Sequence, residues 1–153
     1  MSDKSNPHIV QSPPEESFCA GCDSCEIICA LAHGEAVSPA RRRLFVRRDI
    51  RTMYHTVFTC RHCDDHPCYN ACPKKGAAMR LDGCIAYIDD AECVGCGACA
   101  RACPYDPPRV NYDRERKLAR KCDLCRTREG GPACVEWCPV RCLSLLEIAS
   151  EVE

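Results

Sequence analysis

Hydrophobic positions along this chain come in short runs, separated by charged or glycine- and proline-containing stretches. RRLFVRRDI (42–50) and HTVFTC (55–60) are rich in β-branched or aromatic residues and predict short strands. In RLDGCIAYIDDAEC (80–93), Ile85, Tyr87 and Asp89 alternate with Cys84, Ala86 and Ile88. That period of two, with Asp82-Gly83 as a turn, predicts a β-hairpin. Arg109-Val110-Asn111-Tyr112 predicts a further strand, followed by the charged turn DRERK (113–117). CLSLLEI (142–148) predicts a last strand or short helix. Residues 1–17, with Pro7, Pro13 and Pro14, predict an extended N-terminal arm, and 148–153 a C-terminal tail. LSLLEIA (143–149) is too short to span a bilayer and carries Glu147, so no membrane span is expected.

The hydrocarbon available for a core is thin. Leu, Ile, Val and Phe make only 27 of 153 residues. With a high net charge that share would indicate disorder, but the formal net charge is −1. Something other than hydrocarbon must fill the interior, and cysteine is the surplus residue.

Sixteen of the eighteen cysteines fall into four quartets. They are Cys19, Cys22, Cys25, Cys29; Cys60, Cys63, Cys68, Cys72; Cys93, Cys96, Cys99, Cys103; and Cys122, Cys125, Cys134, Cys138. Each opens C-x-x-C and closes C-x-x-x-C, and Pro73, Pro104 and Pro139 follow the last three. This is the bacterial-ferredoxin run for 4Fe-4S clusters. Zinc also takes C-x-x-C pairs, but it does not explain three C-x-x-x-C-P endings. Disulfides would suit a secreted chain, whereas the N-terminus has no apolar signal-peptide core and the spacings are ligand spacings. Arg41-Arg42-Arg43 has no apolar run behind it to make an export signal. A cytoplasmic, reducing compartment is expected. Four clusters would supply the missing folding energy, so the metal-free chain is expected not to fold. Each cluster with four thiolates carries about −2, adding roughly −8 to the formal charge.

The quartets constrain one another. Three cysteines at i, i+3 and i+6 can wrap one cube face, and in two-cluster ferredoxins the fourth serves the other cluster. Four runs therefore form two mutually ligating pairs. The 80–93 hairpin makes the second and third runs a natural inner pair, leaving the first and fourth as an outer pair. Sequential pairing, first with second and third with fourth, is the rival. Under the nested scheme one inner cluster takes Cys60, Cys63, Cys68 and Cys103, and the other Cys93, Cys96, Cys99 and Cys72. The outer clusters take Cys19, Cys22, Cys25 with Cys138, and Cys122, Cys125, Cys134 with Cys29. Gly21, Gly95 and Gly97 suit loops that need positive φ and close approach of N–H groups to sulfur. Short helices are expected just after each closing cysteine motif. The fold class expected is α+β: two interlocked ferredoxin-like units of short hairpins and short helices around four 4Fe-4S clusters. The inner unit covers about 55–112 and the outer unit 18–54 plus 113–147.

CRHCDDHPCYNACP, AECVGCGACARACPYDPPRV and KCDLCRTREGGPACVEWCP resemble the four-cluster electron-transfer subunits with sixteen ligand cysteines. Those serve dimethyl-sulfoxide-reductase-, formate-dehydrogenase- and carbon-monoxide-dehydrogenase-type enzymes. The resemblance covers about residues 18–147 and implies the nested pairing. CAGCDSCEIICALAHGEAVSPARRRLFVRRD (19–49) is most similar to the carbon-monoxide-dehydrogenase iron-sulfur branch. That branch is similar to the small subunit of tungsten aldehyde oxidoreductases and related acyl-CoA reductases. The chain departs from the pattern in having Ala30 where a trailing proline would stand, and in Cys84 and Cys142 outside the quartets.

The resemblance implies an electron-transfer iron-sulfur subunit rather than an enzyme. It would carry electrons between a large catalytic subunit, favoured as a tungsten- or molybdenum-pterin aldehyde oxidoreductase, and an external acceptor or donor. A flavin- or NAD-linked subunit and self-stacking of protomers are further partners considered. The alternatives are a free-standing polyferredoxin, or a subunit of a carbon monoxide dehydrogenase, hydrogenase or acyl-CoA reductase. No catalytic constellation stands out. Nucleic-acid binding is not expected, since the charge is not basic and no aromatics interleave. Arg41, Arg42, Arg43, Arg47, Arg48 and Arg51 predict a solvated face or an ion-pair network. His62 and His66 are expected at the surface, Cys84 and Cys142 buried, and Trp137 as a shield over a cluster.

Overall fold

The computed structural model describes residues 6–147. In chain order its elements are β1 (His8–Gln11), α1 (Ser24–Ala32), β2 (Phe45–Arg48), β3 (His55–Phe58), α2 (Pro67–Asn70) and β4 (Met79–Asp82). Then follow β5 (Ile85–Ile88), α3 (Ala98–Arg101), β6 (Val110–Asp113), β7 (Leu118–Lys121), α4 (Ala133–Glu136) and β8 (Leu143–Leu146). The strands form four two-stranded antiparallel sheets: β1 with β8, β2 with β3, β4 with β5, and β6 with β7. This is an α+β arrangement of short strand pairs and short helices, compatible with a ferredoxin-like fold. Among the described residues no helix is long and apolar enough to cross a membrane.

Pairing follows the hydrophobic alternation. In the 80–93 hairpin Asp82 lies opposite Ile85, which puts Gly83 and Cys84 at the tip. Ala86 and Ile88 turn inward and are buried, while Ile85 and Tyr87 are half-buried. β1 closes against β8, so segments far apart in sequence form one ribbon. β2 pairs with β3 across residues 54–55, and β6 with β7 across 112–113. Both boundaries drawn between inner and outer units therefore fall inside hairpins.

The helices sit elsewhere than the sequence suggests. α2, α3 and α4 each hold the third cysteine of a quartet and stop just before the fourth. The reason is the C-x-x-x-C spacing: residues four apart share a helical face. Pro73, Pro104 and Pro139 then lack the N–H that another turn requires. The first quartet has Ala30 at that position, and α1 accordingly runs on through Cys29 to Ala32.

Packing follows the nested order. α1 packs on α4, and α2 on α3, while β5 meets β7 between the two halves. One core cluster joins Ile9, Leu44, Val46, Leu124 and Leu143 to eight buried cysteines, Cys19, Cys25, Cys29, Cys60, Cys122, Cys134, Cys138 and Cys142. A second joins Met79, Ile88, Val110 and Ala119 to Cys99. Sulfur thus occupies the volume that hydrocarbon fills elsewhere. Arg120, fully buried, pairs with Glu35 and with Asp90 at 3.3 Å. It thereby ties the segment after α1 to the segment after β5.

Gly95 is required twice over. Its φ is +65°, and a Cβ there would fall 1.9 Å from the Lys117 carbonyl oxygen. Gly34 has a similar φ of +68° but open space around it. Gly34→Ala is expected to cost about 1 kcal/mol from the backbone alone. Gly95→Ala carries that cost plus displacement of the β6–β7 turn. Thermal unfolding of the metal-loaded protein should rank Gly95→Ala clearly below Gly34→Ala.

Candidate metal centres

Each C-x-x-C turn is built by the same local device. The residue two after the first cysteine has positive φ in all four: Gly21, His62, Gly95 and Leu124. In three of them that residue's N–H donates to the first sulfur: Gly21 to Cys19, His62 to Cys60 and Leu124 to Cys122, each at 3.4 Å. Glycine was the legible part of this pattern; His62 and Leu124 adopt the same strained region without it. Two further N–H groups, of Arg43 and Arg109, donate to Cys29 at 3.4 Å and Cys103 at 3.2 Å. Hydrogen bonds of this kind stabilise the charged form of a sulfur.

The quartets do not stay together in space. Cys60, Cys63 and Cys68 line one cavity, of about 360 Å³, with Cys103. Cys93, Cys96 and Cys99 line another, of about 350 Å³, with Cys72. Cys19, Cys22 and Cys25 line a third, of about 290 Å³, with Cys138. Burial pushes the Cys122, Cys125 and Cys134 thiols up, and in each case the nearby Cys29 adds to it. Three cavities are thus each lined by three cysteines of one run and the fourth of another.

Packing relates these cysteines. Cys19, Cys25 and Cys138 share one core with Cys29, Cys122, Cys134 and Cys60, while Cys68, Cys72 and Cys93 pack with Cys99 in the other. Cys22 and Cys96 are exposed, and no other cysteine is. A hydrogen bond with Ser24 lowers the Cys22 thiol. Burial pushes Cys25 up to about 12 and Cys99 up to about 11. Left as free thiols these stay protonated; a metal bound there would displace the protons.

The residues fit iron-sulfur clusters better than zinc. Three groups offer four sulfurs around an apolar cavity, and backbone N–H groups are aimed at Cys19, Cys29, Cys60, Cys103 and Cys122. One mixed set, His33, Asp123 and Cys125, has ligand atoms within 4.8 Å of one another. Its histidine is already engaged at both nitrogens, to the Cys29 carbonyl at 2.7 Å and to Asp123 at 2.8 Å.

Several surrounding residues depart from the sequence expectation. His62 is buried, not at the surface, and neither ring nitrogen has a partner among the described residues. Burial, then the Lys121 charge, hold its imidazole down to about 3, so it is neutral. The cause is its position inside the C-x-x-C loop, where the turn drives the side chain inward. Trp137 is 60% exposed and shields nothing. It is the cap residue of α4, whose buried side is taken by Ala133 and Cys134. Cys142 is buried as expected, its sulfur 3.6 Å from that of Cys138. Burial and that contact push it up to about 12, which keeps it a neutral thiol. Cys84 is half-buried at a hairpin tip. The arginine run is largely an ion-pair network: Arg42 and Arg48 reach Glu26, Arg48 also Asp23, and Arg41 reaches Glu35.

The chain belongs to the 4Fe-4S dicluster domain family, which matches residues 51–148. Relatives extend the likeness over most of the chain. The Escherichia coli protein YsaA, provisionally named for electron transport, is 39% identical over 137 residues, 85% of this chain and 85% of that protein. The electron transport protein HydN of Escherichia coli is 35% identical over 149 residues, covering 84% and 83%. Among solved structures, a chain of the active site complex BamBC of benzoyl coenzyme A reductase, with 1,5-dienoyl-CoA bound, matches at a TM-score of 0.54. It is 26% identical, and the match covers 96% of this chain and 78% of that one.

The His33–Asp123 pair makes stability depend on pH. Burial opposes the imidazolium, but the hydrogen bonds to Asp123 and to Cys29 raise His33 to about 9. Burial likewise opposes the carboxylate, and His33 lowers Asp123 to about 2. A raised histidine stabilises fully below its ordinary value of 6.5 and loses that contribution as pH climbs through 9. The depressed aspartate contributes above its ordinary 3.8 and loses it as pH falls through about 2. The pair is therefore fully effective between about pH 4 and 6.5. His33→Gln is expected to destabilise by about 1–3 kcal/mol at pH 6. It should also flatten the decline in thermal midpoint between pH 7 and 9.5.

Proposed function

We propose that this chain is a non-catalytic electron carrier holding four 4Fe-4S clusters in a row, in two interlocked pairs. One observation supports the reading: three cavities are each lined by three cysteines of one run and the fourth of another. A bound 4Fe-4S cluster takes up or releases one electron at a time. The chain's own residues do the rest. Sixteen cysteines hold the clusters, backbone N–H groups of the C-x-x-C turns steady the sulfur charge, and burial keeps water from the inner two. Cys22 and Cys96 mark the two ends at which electrons enter and leave.

A catalytic oxidoreductase subunit is the partner at one end. The likeness to the benzoyl coenzyme A reductase complex supports an acyl-CoA reductase; a tungsten- or molybdenum-pterin aldehyde oxidoreductase is the partner type that the sequence resemblance implies. A flavin- or NAD-linked subunit suits the other end. The rival reading is a free-standing carrier, favoured by relatives named for electron transport whose length this chain nearly matches. Purification from the native source decides between them: a stable large subunit travelling with the chain supports the first, and a lone carrier the second.

The crossing of ligands has its own test in iron counts. The loaded wild type is expected to hold about sixteen irons, four per cubane. Cys60→Ala with Cys103→Ala should lose one centre and keep about twelve irons. Cys99→Ala with Cys103→Ala should lose two centres and keep about eight. Uncrossed runs would give the opposite ranking.

A further inference from the structure

Lys121 is fully buried and lines the cavity of Cys60, Cys63, Cys68 and Cys103. Its Nζ donates to the Ala86 carbonyl and, at 3.3 Å, to the Cys122 carbonyl. An ammonium has three donors, so one N–H remains for the cavity. The adjacent Arg120, equally buried, is matched by two carboxylates, Glu35 and Asp90. Lys121 has no carboxylate partner among the described residues. A buried ammonium is strongly unfavourable without a counter-charge. What faces it in the cavity is the sulfur of the four cysteines, with the exposed Arg61 and the half-buried Arg109 also on the lining; burial raises the Cys68 thiol, and Lys121 acts against that rise.

The other groups lack such a cation. The cavity of Cys72, Cys93, Cys96 and Cys99 is lined by Ala78, Met79, Ile88, Val94 and Ala119. Its one lysine, Lys74, is exposed and matched by Glu92 at 2.7 Å. The cavity of Cys19, Cys22, Cys25 and Cys138 includes the acidic Asp23. Beside Cys29, Cys122 and Cys125 stand the His33–Asp123 pair, the half-buried Arg43 and Arg128, which pairs with Glu136; neither arginine is fully buried.

We propose that Lys121 is the counter-cation of the centre held by Cys60, Cys63, Cys68 and Cys103, and makes it the most readily reduced of the four. The proposal rests on the ligand sets given above. Reduction adds negative charge to a cluster, and a nearby buried cation favours the state with more of it. The electron balance is simple. One electron lost by an adjoining centre is gained here, and no bond forms or breaks. An electron entering at Cys22 or Cys96 would then rest inside the chain, away from both exposed ends.

The test uses the iron-loaded full chain and stepwise dithionite titration followed by electron paramagnetic resonance. Lys121→Gln keeps donors for the two carbonyls and removes the charge; Lys121→Arg keeps the charge. In Lys121→Gln the first centre to be reduced should show at least a tenfold fall in its reduced-to-oxidised ratio, 59 mV for a one-electron couple. The other three should move less, and Lys121→Arg should remain near wild type. A fully loaded Lys121→Gln with no centre shifted, or all four shifted alike, overturns the proposal. The wild type provides a test that needs no variant. With lysine labelled by ¹⁵N at Nζ and one electron added per chain, the first-reduced centre should show hyperfine coupling to that nitrogen. A well-resolved signal without the coupling overturns the proposal while leaving the ligand sets standing. A wild-type iron content well below sixteen per chain overturns the ligand sets, and the proposal with them.

Discussion

Bringing sulfur into an apolar interior in groups of four is the constraint on which this structure depends. Cys25, Cys29, Cys122, Cys134 and Cys138 lie inside the main core, where a lone thiolate is strongly disfavoured. A thiolate set is tolerable there only with metal to neutralise it and N–H groups to solvate it. Both requirements shape the backbone. The left-handed residues Gly21, His62, Gly95 and Leu124 recur at one position because each turn must wrap sulfur.

The proposed exchange of fourth cysteines rests on the same geometry. The short helices α2, α3 and α4 carry the third cysteine of a run and end before the fourth. α1 against α4 and α2 against α3 are the packing consequences. The hairpins then serve as struts: β2–β3 and β6–β7 connect the halves, and β1–β8 closes the outer one. The polypeptide is folded around its sulfur positions more than around its hydrocarbon. Of the sixteen quartet cysteines, Cys22 and Cys96 are the two that are exposed, and they line different cavities.

Much of this was legible in the sequence because spacing is a local signal. C-x-x-C and C-x-x-x-C-P announce ligands, and the alternation from Cys84 to Asp89 announces a hairpin. Spacing alone left the pairing of the runs open between nested and sequential schemes. What escaped was set by tertiary burial. His62 and Lys121 look like ordinary surface residues, flanked as they are by charged neighbours. Both are buried because the strand or turn that carries them also carries a ligand cysteine. Trp137 failed in the opposite direction: an aromatic beside Cys138 suggests cover, but the helix phase points it outward. The helices lie ahead of the fourth cysteines, not after them, because Pro73, Pro104 and Pro139 act as stops.

The central claim is that the metal centres take the place of a hydrocarbon core. Anaerobic removal of iron from the purified chain, followed by circular dichroism and amide NMR dispersion, tests it most directly. The account predicts collapse of dispersion and loss of cooperative unfolding in the iron-free chain, with recovery when iron and sulfide are restored. An iron-free chain that keeps its dispersed spectrum and unfolds cooperatively would contradict it.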